Sequence, residues 1–281
     1  MKNILAITLS TLREALARKV FLFFLGISAI VIIVLAIVTS LADTSSIISN
    51  VGQFNNSNKI NTPGSLTALQ GVITMFEMVI INSVANLGLL LAIFSSASFV
   101  PVMLEKGNID LLLSKPISRS QLLWGKYTGG ILVVLLNIAF LILGVWIIIS
   151  LKFSYWNFGI LWSILLITFA YATLNAVIVL FGVTTKSSIL GMMTAYFIYL
   201  ILSPFLLAVK DRMFPFIQNK VLTTILDGLY YFFPKTSELF GKDIYNLASG
   251  TNIEIQPVVT SFLFILFIMI ISVEIFKRKD F

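Results

Sequence analysis

Side chains able to do chemistry are sparse in this chain, and most of them gather in one stretch. Leu104 to Lys126 reads LEKGNIDLLLSKPISRSQLLWGK, a charged, turn-containing insert between two apolar runs. Inside the apolar runs the polar groups are few: Glu77, Asn82 and Asn86 in one, Asn137 in another, Asn175 in a third. An acid at membrane depth is costly unless it faces water or a partner. Glu77 therefore reads either as the lining of a pathway or as an acid at the headgroup level. There is no cysteine and no histidine. That excludes disulfides, thiol catalysis and haem or zinc sites built on those ligands, and it removes the commonest general base. Without paired deep carboxylates, the inventory for a membrane-embedded enzyme is poor. No G-x-x-x-x-G-K-[ST] occurs, so any ATP chemistry must come from another chain.

The Leu104–Lys126 stretch is suited to mechanical contact. Ile109, Leu112, Leu113 and Ile117 recur at three- and four-residue spacing, with Glu105, Lys106 and Asp110 elsewhere, which predicts a short amphipathic helix. Lys115-Pro116 should stop it, because the residue before proline is pushed out of the α region. Ser118 followed by Gln121 fits a capping box that starts the next helix. The outcome is a small, stiff, surface-lying helix and a tight elbow, able to receive a push from another protein.

The elements that hold this stretch are membrane spans. Of 281 residues, 58% are hydrophobic and 11% charged, which places the chain in the membrane class and leaves no room for a sizeable soluble domain. The net charge of +7 sits at span ends, where it serves topology and lipid headgroups rather than nucleic acid. The expected fold is an all-α membrane protein, one domain over 1–281. Residues 1–19 read as an interfacial helix with an apolar stripe of Leu5, Leu9, Leu12 and Leu16, or else as a plain tail. Six spans are expected at about 20–41, 75–103, 127–150, 159–183, 188–209 and 257–276. Ser40-Leu41-Ala42 resembles a signal-peptide cleavage site, but the apolar run before it is long for an h-region. Gly88, Ala92 and Ser96, four apart, form a small-residue stripe that permits close packing within one subunit or between two. Pro204 should kink the fifth span. Between spans five and six, Val221 to Phe233 is amphipathic and too short to span. Glu274 is expected to pair with Lys277 or Arg278. No internal repeat is evident.

Lys and Arg set the expected orientation. Twelve lie on the segments holding both ends, Leu104–Lys126 and Lys186, and seven on the opposite set, five of those in one long loop that votes weakly. Both termini and the charged insert are therefore expected inside.

The run from Glu105 to Lys126, E-K-G-x-x-x-x-L-L-S-x-P-I-S-R-x-x-x-x-x-G-K, resembles the cytoplasmic loop of ABC transporter permeases of the type-2 export group. Lys106-Gly107-Asn108 stands where the family pattern has a small or basic residue followed by Gly-Thr. The resemblance extends more loosely over nearly the whole chain. It implies that the loop is a coupling helix docking on a separate ATPase. Glu105 and Arg119 would make polar contacts and Leu112, Leu113 and Ile117 the apolar face, with Lys106, Gly107, Asp110, Ser114 and Pro116 in the same motif. The leucines could equally pack on the protein's own helix ends. It further implies an N-terminal elbow helix, short re-entrant helices between spans five and six, a second permease copy or related permease, and two ATPase copies carrying ATP and Mg. No cofactor is expected on this chain. Glu77, Asn82, Asn86, Gly88, Ala92, Ser96, Asn137 and Asn175 are candidates for a pathway or subunit interface. The location implied is a bacterial or archaeal inner membrane. Competing readings are an ion-coupled secondary transporter and a non-transporting, force-transmitting subunit for envelope protein maturation.

Overall fold

The computed structural model describes residues 2–17, 19–41, 68–105, 107, 118–213, 220–244, 246 and 254–279. Among them there is no strand, and six helices are long and apolar enough to cross a membrane. The chain is an all-α, integral, multi-pass membrane protein.

Helix α1 (Lys2–Ala17) leads into α2 (Lys19–Leu41), the first span. The second span is not one helix. α3 (Ala68–Ser96) breaks at a turn over Ala97 and Ser98, and α4 (Phe99–Met103) resumes with Pro101 inside it. Proline tolerates the first turn of a helix and not its middle, so a break just upstream is where Pro101 can sit. The third span, α5 (Arg119–Phe153), starts well before the expected 127. Its apolar run begins at Leu122, but the Ser118 cap sets the start. The Ser118 hydroxyl accepts from the Gln121 N–H at 3.2 Å and the Gln121 amide oxygen accepts from the Ser118 N–H at 3.3 Å.

A 3₁₀ turn (Phe158–Trp162) opens the fourth span, α6 (Ser163–Thr185). Lys186 ends it in the left-handed region at φ 57°, and Ser187 caps α7 (Ser188–Phe197), so a tight turn joins the two spans. The fifth span continues through a π segment (Ile198–Leu202) into α8 (Ser203–Ala208) and a second π segment (Val209–Met213). Pro204 has no N–H to give the carbonyl four residues back. The turn before it widens, as expected for a proline-induced distortion. The short amphipathic helix is α9 (Lys220–Phe232). It is followed by the single turn α10 (Thr236–Glu238), a π segment (Leu239–Asp243) and the last span, α11 (Ile255–Arg278). Glu274 pairs with both expected partners, at 3.9 Å to Lys277 and 3.2 Å to Arg278.

Between helices in lipid the hydrophobic drive is weak, so close approach has to come from small residues. α5 supplies them and packs against α1, α2, α3, α6 and α11. A β-carbon on Gly129 would lie 2.6 Å from the Thr11 β-carbon, and one on Gly144 would lie 2.5 Å from Ile32 Cδ1. α6 is the most enclosed span, with Ala170, Tyr171, Thr173, Leu174 and Ala176 fully buried. α2 is peripheral, with Ile30, Ile33, Val34, Ile37 and Val38 turned outward to lipid. α1 is seated on α5 through Ile7 and Thr11, and the Thr8 hydroxyl is 2.9 Å from that of Thr128; of the expected leucine stripe, Leu12 packs beside Val133 while Leu9 is 47% exposed. An even number of crossings puts the starts of α2 and α5 and the ends of α6 and α11 at one end, called here the terminal end; the other is the loop end.

Candidate functional site

At the terminal end the charged side chains tie helices together. Arg119 Nη1 lies 3.3, 3.0 and 2.6 Å from the carbonyl oxygens of Phe276, Lys277 and Lys279, where α11 ends. Lys279 Nζ in turn donates to the carbonyls of Val183 and Thr184, at 2.6 and 2.7 Å, where α6 ends. Final carbonyls of a helix have no partner within it and carry its negative dipole end, so a cation is the fitting cap. Burial, and then the like charge of Lys186, lowers the Lys279 ammonium below the usual lysine range. Lys126, 8% exposed, donates to the Glu14 carboxylate and pins α1 to α5.

The expected coupling residues divide across this end. Glu105 is exposed just after α4, and Gly107 follows at φ 92°, a left-handed value that glycine takes without strain. Arg119 is engaged by the chain's own α11. Lys106, Asp110, Leu112, Leu113, Ser114, Pro116 and Ile117 lie outside the described residues. Beside Glu105 an open cleft of about 400 Å³ runs between α4 and the α6–α7 turn, lined by Pro101, Val102, Leu104, Lys186 and Ser187 among others. α4 is seated on α6: a β-carbon on Gly182 would lie 3.1 Å from Val100 Cβ.

The candidate pathway or interface residues are buried, apart from the half-buried Asn82 and the exposed Asn86. Gly88, Ala92 and Ser96 face the chain's own helices; a β-carbon on Gly88 would lie 3.0 Å from Ile138 Cδ1 on α5. Asn86 donates to the Asn82 carbonyl at 2.6 Å and accepts from the Tyr199 hydroxyl, while the Tyr196 hydroxyl donates to the Leu90 carbonyl at 2.8 Å. Those bonds fasten the fifth span to α3. Asn137 is buried, donates to Val133 at 3.5 Å, and leaves its side-chain oxygen without a partner. Asn175 donates to the Tyr127 carbonyl at 3.4 Å.

Glu77 is 1% exposed, enclosed by the protein rather than set at a surface. Its Oε2 accepts from Asn157 Nδ2 at 3.5 Å, and its Oε1 has no partner. Asn157 is itself held firmly. Its side-chain oxygen caps Gly159 at 3.2 Å and its carbonyl accepts from the Trp146 indole at 3.0 Å.

A third cluster, at the loop end, was not expected from sequence. Lys235 is 3% exposed and its ammonium has no hydrogen-bond partner. It sits 3.9 Å from the centroid of the Tyr230 ring and 4.6 Å from that of Tyr231. Lys210 lies 3.7 Å from the Tyr230 centroid. The Tyr230 hydroxyl donates to the buried carboxylate of Glu238. Asp243 is fully buried. Its Oδ1 accepts from the Glu254 N–H at 3.1 Å, and its Oδ2 has no partner. Burial pushes the Asp243 carboxyl up to about 6 against the Glu254 hydrogen bond, and it pulls Lys235 down to about 8 against the attraction of Glu238. The Tyr230 hydroxyl is held above its ordinary range by burial and then by Glu238. The sequence signal for this cluster was the run Tyr230 to Lys235, which reads as an interface belt because aromatics dominate it.

Among the described residues no group of acids or histidines could hold a metal ion. Compared with protein-family models and with curated proteins, the chain gives no match.

Proposed function

We propose that this chain is the membrane-spanning permease subunit of an ATP-driven exporter of the ABC type-2 group. A separate ATPase, in two copies carrying ATP and Mg, would act on two permease copies, with the terminal end and both termini in the cytoplasm of a bacterial or archaeal cell. One observation carries the reading: the segment between spans two and three is fastened at each end to a different part of the bundle. On one side α4 is seated on α6 at Gly182. On the other, Arg119 is clamped to the end of α11, and Lys279 links α11 back to α6. A push on residues 105–118 therefore moves spans two, three, four and six together. A slack loop would dissipate it. The sequence from Glu105 to Lys126 supports the same reading, as does the absence of a nucleotide motif.

A cysteine at position 115 should cross-link to a separate ATPase chain in membranes, and Glu105→Ala should lower stimulated ATP hydrolysis several-fold with expression unchanged. Transport that continues without any ATPase, driven by an ion gradient, would sink the proposal. The buried Glu77 favours that second reading, an ion-coupled carrier.

A further inference from the structure

The hydroxyls of this bundle follow a rule with few exceptions. In its helices Ser28, Thr39, Thr168, Thr184, Thr194, Thr260 and Ser272 donate to the carbonyl four residues back, at 2.7 to 3.0 Å. That is how a hydroxyl satisfies itself in an apolar medium. Thr74, Ser150 and Ser163 in the spans do not, nor does Thr236 in the turn at the loop end; each is buried, and each oxygen is without a partner.

The three in the spans share a neighbourhood with Glu77. Thr74 is three residues before it, on the same face of α3. Ser150 is one turn beyond Trp146 on the same face of α5, and Trp146 is bonded to Asn157, the residue that touches Glu77. Ser163 opens α6 directly after the 3₁₀ turn that Asn157 caps. Phe76 and Phe153, with ring centroids 5.7 Å apart, bring the start of α3 against the end of α5. Glu77 Oε1 and three hydroxyl oxygens are thus unpartnered on three helices that pack together, α3, α5 and α6.

A carboxylate in such a place cannot remain alone. An uncompensated buried charge costs far more than the one long hydrogen bond from Asn157 returns. The titratable groups on the elements around it are Lys152 near the end of α5 and Tyr155 in the loop that follows; neither is bonded to Glu77. Among the described residues no cation pairs with it. The donor set is oxygen only, which suits a hard cation.

We propose that Glu77, with Thr74, Ser150 and Ser163, forms a monovalent-cation site inside the bundle at the loop end, taking an alkali ion or a proton. Uptake neutralises the carboxylate. Asn157 holds the carboxyl from the loop side. The site is independent of the ATPase reading: an exporter and an ion-coupled carrier could each possess it.

The experiment uses the full chain, purified in detergent, with melting temperature as the readout. One arm compares sodium chloride with choline chloride at fixed pH. The other varies pH in choline chloride. Wild type is set against Glu77→Gln, which keeps the shape and the Asn157 contact, and against Thr74→Val. If sodium is the ligand, it raises the wild-type melting temperature by about 5 °C, and the rise is absent in both variants. If the proton is the ligand, sodium does nothing, the pH dependence of wild type differs from that of Glu77→Gln, and Thr74→Val keeps the wild-type profile. Wild type and Glu77→Gln responding alike to both sodium and pH overturns the site. Glu77→Met, similar in length and uncharged, replaces the amide variant if that one does not fold.

Discussion

The two ends of this bundle treat buried charge in opposite ways. At the terminal end Arg119 and Lys279 meet the last carbonyls of α11 and α6, and Lys126 meets Glu14. Of those terminal-end cations Arg119 and Lys279 are half-buried and Lys126 buried, whereas at the loop end Glu77, Lys235 and Asp243 are deeply enclosed, and each keeps an atom with no hydrogen-bond partner. A satisfied network is rigid, and a partly satisfied one costs free energy until something supplies the missing partner. At the terminal end the cations hold helices in fixed relation, as the proposed lever would need.

The comparison is broken most directly by removing a cation from each end. Arg119→Ala leaves the α11 carbonyls without their cap and should cost about 2–3 kcal/mol, read as a fall in melting temperature, with Arg119→Lys recovering part of it. Lys235→Met removes a buried charge with no hydrogen bond to lose. It should stay within about 1 kcal/mol of wild type or gain stability, because replacing a poorly compensated buried ion by a hydrophobe is often neutral or favourable. Equal losses at the two positions would show that the ends do not differ in kind.

How much of this was legible in the sequence follows from where the signals are local. The spans come from long apolar runs, and the start of α5 from its serine cap, because both are decided within a few residues. The break at Ala97 had its cause in Pro101, four residues on, which reads from sequence as the end of a span. The face that α1 buries was legible only in part. Its leucine stripe includes Leu12, but the fit of Thr11 against Gly129, 118 positions away, has no local signal. Arg119 was expected to contact a partner ATPase and Lys279 only to mark a span end, since nothing local shows that a carbonyl from a distant helix lies within reach. Glu77 was recognised as unusual, but its enclosure depends on Asn157 and the turn after α5.

The loop end should also betray itself by its response to pH. Asp243 goes from 3.8 to about 6 on folding, so between those values the folded state holds more protons than the unfolded one, and stability falls as pH rises through them. Lys235 goes from 10.5 to about 8, so between those values the folded state holds fewer protons, and stability rises with pH. Stability of this region should therefore be lowest between about pH 6 and 8, where both groups are charged. Hydrogen exchange of the 230–243 backbone across pH 4 to 10 checks it. Asp243→Asn should flatten the acid limb and Lys235→Met the alkaline limb. A profile unchanged by either variant would mean that other groups set it.

A modest effect on stability is expected at the proposed lever. Gly107 holds φ at 92° with open space where a β-carbon would be, so Gly107→Ala meets no clash and pays only for the left-handed backbone, about 1–2 kcal/mol if the conformation is kept. The residue is exposed and lies between α4 and α5, so the chain can instead relax there and leave the bundle intact. Melting temperature should then move by no more than a few degrees, and ATP hydrolysis by a partner ATPase should lose much of its stimulation, because the turn that aims the connector has changed. Arg119→Ala would lower both together. A Gly107→Ala variant that keeps full stimulation would mean that the direction in which the chain leaves α4 does not matter to a partner, and the lever would then have to begin beyond residue 107.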